Sequence, residues 1–216
     1  MTSLVESIAG YISGRSRSKK YSDFIATLKP STTDTIVDVG VNDQEYSAND
    51  NYLEKHYPYP ERITAVSQQS LNYFSERYPK VTAVIGDGLK LPFPDRNFDI
   101  VFSNAVIEHV GGRDQQLMFM RELKRVAGRG YITTPNRFFP IEVHTRIPLL
   151  HLLLRKRLFD RFLAIIGKGW AAGDYMNLLT RSDLESLLAA ASINNYRITS
   201  NRIAGIPLTY TVTWSK

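Results

Sequence analysis

Apolar residues recur at helical spacing from the start of the chain. Leu4, Val5, Ile8 and Ile12 fall on one side of a helical period, which predicts one or two helices over residues 4 to 28, closed by Lys29-Pro30-Ser31. Short β-rich runs then alternate with helical patterns. Strands are expected at Thr35–Val39, Ile63–Val66, Val81–Ile85, Asp99–Ser103 and Gly130–Thr133, and helices near 50–57, 69–77 and 113–126. Such alternation argues for a parallel sheet covered by helices on both faces, with right-handed crossovers. The rhythm changes at the end. Thr180 with Asp183 three residues on reads as a capping box before an apolar helix, Leu184–Ala191. Tyr196–Ser200 and Leu208–Trp214 follow with no helix between them, so they must pair as an antiparallel hairpin. The segment 134–176 fits no strand–helix unit; it reads as an inserted cap, rich in Leu, Ile, Phe and basic residues. The whole, 1–216, is a single α/β domain with N-terminal helices over 1–30.

Composition narrows the classes. At 43% hydrophobic and 22% charged residues, the chain matches an ordinary globular domain. There is no cysteine, which excludes disulfides and thiolate metal sites. No signal-peptide pattern opens the chain, and no apolar run reaches the roughly 18 residues a membrane span needs. A cytoplasmic location is therefore expected. The net charge is +6, with clusters at Arg15, Arg17, Lys19, Lys20 and at Arg155, Lys156, Arg157, Arg161, Lys168. These admit contact with nucleic acid or an anionic membrane, but the plainer reading is a solvated basic surface.

Three sites carry candidate chemistry. In Ile36–Asp43 an apolar strand runs through Asp38 into Gly40, where a ligand can approach bare backbone; Asn42 and Asp43 then tolerate left-handed angles. The two aspartates suit a cation and would repel a pyrophosphate, and no G-x-G-x-x-G is present, which counts against a nicotinamide oxidoreductase. After the second strand stand Ser67 and Gln68, neutral groups able to bond hydroxyls. The third and most specific run is Gly86-Asp87-Gly88, then Leu91-Pro92-Phe93, Phe98-Asp99, and Ser103-Asn104-Ala105 leading to Glu108-His109.

This ordered run resembles the class I S-adenosylmethionine-dependent methyltransferases, in particular the small-molecule branch of the ubiquinone and menaquinone biosynthesis type. The likeness extends over residues 34 to 190, through Arg121-Glu122 and Thr133-Thr134-Pro135-Asn136. It implies a Rossmann-like, mostly parallel seven-stranded sheet with a terminal antiparallel hairpin, and S-adenosylmethionine as cofactor. It further implies that Asp87, with Gly88 beside it, bonds the adenine amino group. The backbone of Ser103, Asn104 and Ala105 would line the methionine end, and Asp38, Gly40 and Asn42 the turn beneath it. Two departures stand out. The glycine loop keeps only Gly40, and Ser67 and Gln68 occupy the place of the acid that normally holds the ribose.

The implied function is methyl transfer to O, N or C of a small, lipid-like or partly apolar acceptor. His109 and His144 are candidate bases, with Glu108 as a further titratable group near the expected methyl. In-line positioning can suffice without a base. No zinc spacing is present and no metal is expected. The altered loop keeps alive a degenerate binding protein that has lost catalysis. An RNA methyltransferase is disfavoured, because the Asn/Asp-Pro-Pro-Tyr/Phe motif of base methylation is missing after the fourth strand. The segment 134–176, with Phe138, Phe139 and its leucines, is expected to cap an apolar acceptor pocket or to rest on a membrane surface.

Overall fold

The computed structural model describes residues 4–140, 150, 154, 156–169, 176–203 and 205–215, with only the backbone described for 4–13 and 156. The elements are α1 (Leu4–Leu28), β1 (Ile36–Val39), α2 (Tyr52–His56), β2 (Ile63–Ser67), α3 (Asn72–Arg77), β3 (Thr82–Ile85), β4 (Phe98–Asn104), α4 (Arg113–Val126), β5 (Ala127–Pro135), α5 (Lys156–Ile165), α6 (Arg181–Ala190), β6 (Tyr196–Ile203) and β7 (Ile206–Trp214). The seven strands form one sheet in the order β3-β2-β1-β4-β5-β7-β6. β1 to β5 are mutually parallel, while β7 runs antiparallel to both β5 and β6. The expected hairpin is thus inserted next to β5 through its second strand.

Strand alternation divides the core into two layers. Val37, Val39, Val101 and Ile132 face α4 and α6, packing on Phe119, Met120, Leu123, Leu184, Leu187 and Leu188. Ile36, Ile100, Phe102 and Tyr131 face the other way, onto Phe24 and Leu28 of α1, Leu53 of α2 and Phe74 of α3. The N-terminal region is a single helix, and Phe24 is fully buried edge-on against Phe102 and Tyr131 at 5.2 and 5.5 Å between centroids. Lys29, in the left-handed region at φ 45°, ends it.

The predicted capping box is present in full. Thr180 Oγ1 accepts from the Asp183 backbone N–H at 3.1 Å, and Asp183 accepts from that of Thr180 at 2.9 Å. Gly130 lies opposite Trp214, where a Cβ would stand 2.1 Å from the indole, so this register requires a residue without a side chain.

The cap segment begins later than expected, since Thr134 and Pro135 belong to β5. Its described helix, α5, packs Phe159 and Leu163 with Leu150, Leu154 and Met176 in a small cluster apart from the main core. Leu158, Ile165 and Ile166 stay exposed. No described helix is long and apolar enough to cross a membrane.

Candidate functional site

A cleft of about 620 Å³ opens at the carboxyl ends of β1, β2 and β4, where the strand order reverses between β1 and β4. That is the ligand-bearing edge of an open α/β sheet, and the volume suits a cofactor-sized molecule. The turn after β1 is built around Gly40, at φ 103°. A Cβ there would meet Val106 Cγ2 at 2.2 Å, so both angle and space demand glycine. No second glycine is needed to hold the turn. Asn51, itself left-handed at φ 47°, accepts the Asn42 N–H at 3.0 Å and donates to the Asn42 carbonyl at 2.8 Å. Asn42 lines the cleft beside Asp38 and Gly40. Asp43 does not line the cleft: its carboxylate accepts the Phe74 N–H at 3.0 Å at the start of α3.

Ser67 and Gln68 reach the cleft from the end of β2. Gln68 Nε2 donates to Asp87 Oδ1 at 2.8 Å, and the Leu89 N–H donates to the same oxygen at 2.9 Å. The second Asp87 oxygen receives no bond from a described residue. Gly88 packs so closely on Phe119 that a Cβ would approach it to 2.8 Å. Both Asp87 and Gly88 line the cleft.

At the end of β4 the three expected residues part company. Ser103 is buried and donates to the Val39 carbonyl at 2.8 Å, tying β4 to β1; it does not line the cleft. Its hydroxyl is spent inside the sheet because strand alternation turns it into the core. Asn104 and Ala105 do line the cleft, Ala105 at φ 59°. His109 lines it as well. Glu108 has no exposed surface: Thr134 Oγ1 donates to its Oε2 at 2.9 Å, while Oε1 has no hydrogen-bond partner among the described residues and lies 4.0 Å from His109 Nε2. It faces the interior behind His109 rather than the cleft. His144 lies outside the described residues. No group of three or more metal-ligating side chains clusters among the described residues.

The roof comes from an unexpected quarter. None of the described residues from 134 to 176 lines the cleft, and Phe138 is 61% exposed. Instead α1 presents Arg17, Lys20 and Tyr21, with Tyr52 of α2 at 5.8 Å from Tyr21 between ring centroids. The basic pair was read as solvated surface. Lys20 is 9% exposed, and its Nζ donates to Asn104 Oδ1 at 3.2 Å, which also accepts from Thr133 Oγ1 at 2.7 Å. The available signal was register. Residues 17, 20, 24 and 28 repeat at helical spacing, so the stripe that buries Phe24 and Leu28 also carries Arg17 and Lys20 inward. Arg15 and Lys19 remain exposed, as expected.

Burial distorts the titration of this site. Lys20 falls to about 7, through loss of solvent and then the charge of Arg17. Arg17 is itself lowered by burial, against the attraction of Asp50, Asp38 and Glu108. Asp38, 7% exposed, is raised well above the usual carboxylate range by burial and the nearby Glu54. Glu54 rises to about 7, burial again leading, as one half of a buried carboxyl pair with Asp38. Glu54 was not anticipated; in sequence it is one acid of a short polar helix.

Comparison with known proteins shows what this chain is similar to. Residues 38–132 match the methyltransferase domain model. Over 51 residues the chain is 43% identical to ajmaline N-methyltransferase of Rauvolfia serpentina, a stretch covering 24% of this chain and 16% of that protein. Over 73 residues it is 34% identical to a probable S-adenosylmethionine-dependent methyltransferase of Mycobacterium tuberculosis, covering 32% and 26% of the two chains. The matched stretches therefore span about a sixth and a quarter of these relatives' length. Among solved structures, the Burkholderia thailandensis 1,6-didemethyltoxoflavin-N1-methyltransferase, bound to its acceptor and S-adenosylhomocysteine, aligns at TM-score 0.59 and 16% identity over 95% of this chain and 81% of that one. A Methanosarcina mazei SAM-dependent methyltransferase aligns at TM-score 0.59 and 16% identity, covering 88% and 96%. At such identities the structural likeness establishes the fold.

Proposed function

Because the chain carries the class I S-adenosylmethionine-dependent methyltransferase domain, we propose that it transfers the cofactor's methyl group to an O, N or C atom of a small, partly apolar acceptor. The observation that supports this reading is the cleft at the β1/β4 reversal, whose lining joins Asp38, Gly40, Asn42, Asp87, Gly88, Asn104 and Ala105 in one cavity. The residues fit the cofactor. Bare backbone at Gly40, where Val106 forbids a Cβ, leaves room for close approach. Asp87 has an unengaged oxygen for the adenine amino group, Ser67 and Gln68 offer neutral partners to the ribose, and Asp38 with the Asn104–Ala105 backbone borders the amino-acid end. When bound, the cofactor supplies an electrophilic methyl on a sulfonium.

The chain's own part is positioning, which can lower such a barrier by several kcal/mol (about 7–11 in well-oriented intramolecular reactions). His109, in the cleft after β4, is the described candidate to take a proton from the acceptor. Glu108 behind it acts as a positioning residue. An apolar part of the acceptor is supported by the lining of Tyr21, Tyr52, Phe102, Val106, Val110 and Phe119. The named acceptors of two similar proteins, ajmaline and 1,6-didemethyltoxoflavin, are small molecules, which favours that class here.

Calorimetry with S-adenosylhomocysteine, followed by transfer of labelled methyl to a panel of small nucleophiles, tests the proposal. No binding at millimolar concentration would overturn it. Binding without turnover on any acceptor would favour the degenerate binding protein, which the absence of a ribose acid after β2 motivates.

A further inference from the structure

We propose that a second cavity, walled by α1 and the carboxyl end of β6, holds a phosphate group carried by the acceptor. This deepens the methyltransferase reading and rests on it. The cavity measures about 630 Å³, and its described lining sets Arg15, Ser16 and Lys19 of α1 against Asn201 and Arg202 of β6. No carboxylate stands among those lining residues.

Topology puts this cavity beside the cleft. β7 runs antiparallel to both β5 and β6, so β6 is parallel to β5 and ends at the ligand-bearing edge of the sheet. α1 is the partition. Tyr21 faces the cleft, while Ser16 and Lys19 face the second cavity. At a rise of about 1.5 Å per residue, the two sets lie within roughly a turn of each other along the helix. The wall is tied across the fold: Asn201 Nδ2 donates to Ser16 Oγ at 2.9 Å, joining β6 to α1. The pairing of β6 with β7 shifts register between Asn201 and Arg202. Both of these neighbours line the cavity, which unbroken strand alternation would disfavour. Two bonds fix the Arg202 guanidinium, from Nε to Ser200 Oγ at 3.2 Å and from Nη1 to the Gly205 carbonyl at 3.0 Å. Its Nη2 bonds to no described residue.

Charge selects the ligand. Lys19 makes no hydrogen bond or ion pair with a described residue, and Arg202 makes no ion pair with one. With Arg15, the lining gathers three positive charges. A single carboxylate balances one of them. A phosphomonoester carries nearly two negative charges at neutral pH and three acceptor oxygens, which suit a guanidinium fork and an ammonium together. The cleft itself is lined by Asp38 and Asp87, which repel such a group. S-adenosylmethionine has no phosphate, so the phosphate arrives with the acceptor. The cavity is far larger than a bare phosphate ion. Ile203 lines it, and Phe138 and Ile206 stand exposed just past the end of β5 and at the start of β7, an apolar surface for the body of the molecule. A polynucleotide would call for cations along a track of successive phosphates, whereas here they meet around one cavity.

Calorimetry on the full chain saturated with S-adenosylhomocysteine measures binding of phenyl phosphate, inorganic phosphate, benzoate and a short oligouridylate. The same titrations are run on the K19Q, R202Q and K19Q/R202Q variants. Thermal unfolding confirms that each folds; Lys19 is exposed, so K19Q keeps the test open if loss of the Arg202 bonds loosens the hairpin. The parent is expected to bind phenyl phosphate at least about threefold more tightly than inorganic phosphate or benzoate. Each single substitution weakens phenyl phosphate by about threefold to fivefold, the worth of an exposed charge pair, and the double variant by about tenfold or more. S-adenosylhomocysteine affinity stays within about twofold of the parent throughout. Inorganic phosphate bound as tightly as phenyl phosphate would mean a free-ion site and overturn the acceptor as its source. Oligouridylate bound more tightly than phenyl phosphate, and released by the double variant, would mean a nucleic-acid surface and overturn it too. No binding of phenyl phosphate at millimolar concentration, benzoate bound equally well, or binding that the variants leave unchanged overturns the phosphate site while leaving the methyltransferase reading intact. A parent protein that does not bind S-adenosylhomocysteine refutes that reading, and the acceptor assignment falls with it.

Discussion

Asp87 is the residue on which adenine recognition turns. Its Oδ1 is already engaged by Gln68 and the Leu89 N–H, so only the other oxygen is left for a ligand. Asp87→Ala should weaken S-adenosylhomocysteine binding by about 1–3 kcal/mol, the loss expected when one hydrogen-bond partner is removed. Unchanged affinity in calorimetry would refute the adenine assignment. His109 makes a different claim. If it is the base, His109→Ala lowers turnover by about 10²–10⁴-fold and leaves cofactor affinity nearly intact. Full activity on the true acceptor would remove it from the mechanism. At this scale the sequence is informative where backbone dictates the residue and silent where burial does. Gly40 was legible because a strand-to-turn glycine advertises a positive φ, here 103°. The directions of the Ser103 and Asp43 side chains were not legible, because they depend on packing that spacing does not encode; one turns into the sheet and the other onto α3. Lys20 and Arg17 were read as surface for the same reason.

Elements were more legible than side chains, because period and caps are local. The seven strands and the helices at 113–126 and after Thr180 lie where alternation and the capping box put them. Thr180→Ala removes the hydroxyl that accepts the Asp183 N–H and should cost about 1 kcal/mol in urea unfolding, with the cleft unaffected. A loss near zero would mean that packing of Leu184, Leu187 and Leu188 alone holds α6. The position of α1 was not legible. Its basic residues read as solvated surface, yet Phe24 sits among Phe102 and Tyr131, and the Tyr131 hydroxyl donates to the Lys20 carbonyl at 2.9 Å. The contacts of Tyr131 with Phe24 and Lys20 span more than a hundred residues of chain, a distance no window on the sequence sees. The cap segment shows the converse. Its apolar composition suggested a roof, but the described part of it, α5, builds a cluster of its own.

For the whole molecule, a binding cleft lined with ill-matched charges should leave a mark on the pH dependence of stability. Glu54 rises from an ordinary 4.5 to about 7 in the folded protein. Between those values the folded state keeps a proton that the unfolded chain releases. Stability from this group is therefore full below pH 4.5 and falls as pH rises to about 7. Asp38, raised by burial and by Glu54, acts in the same direction. Lys20 works oppositely on the other side of neutrality. Its affinity for the proton falls from 10.5 to about 7, so above pH 7 the unfolded chain holds a proton that the folded state has lost. The slope of stability with pH then turns positive, until about 10.5. The two effects meet near neutrality, and the ligand-free protein should show a shallow stability minimum there. Urea midpoints measured from pH 5 to 9 would reveal it. Glu54→Gln should flatten the limb below neutrality, and Lys20→Met the limb above it, each raising stability at pH 7. S-adenosylhomocysteine should fill the dip by binding the folded state alone. A monotonic profile, or variants that leave both limbs in place, would mean that these groups are not carrying unbalanced charge in the folded chain.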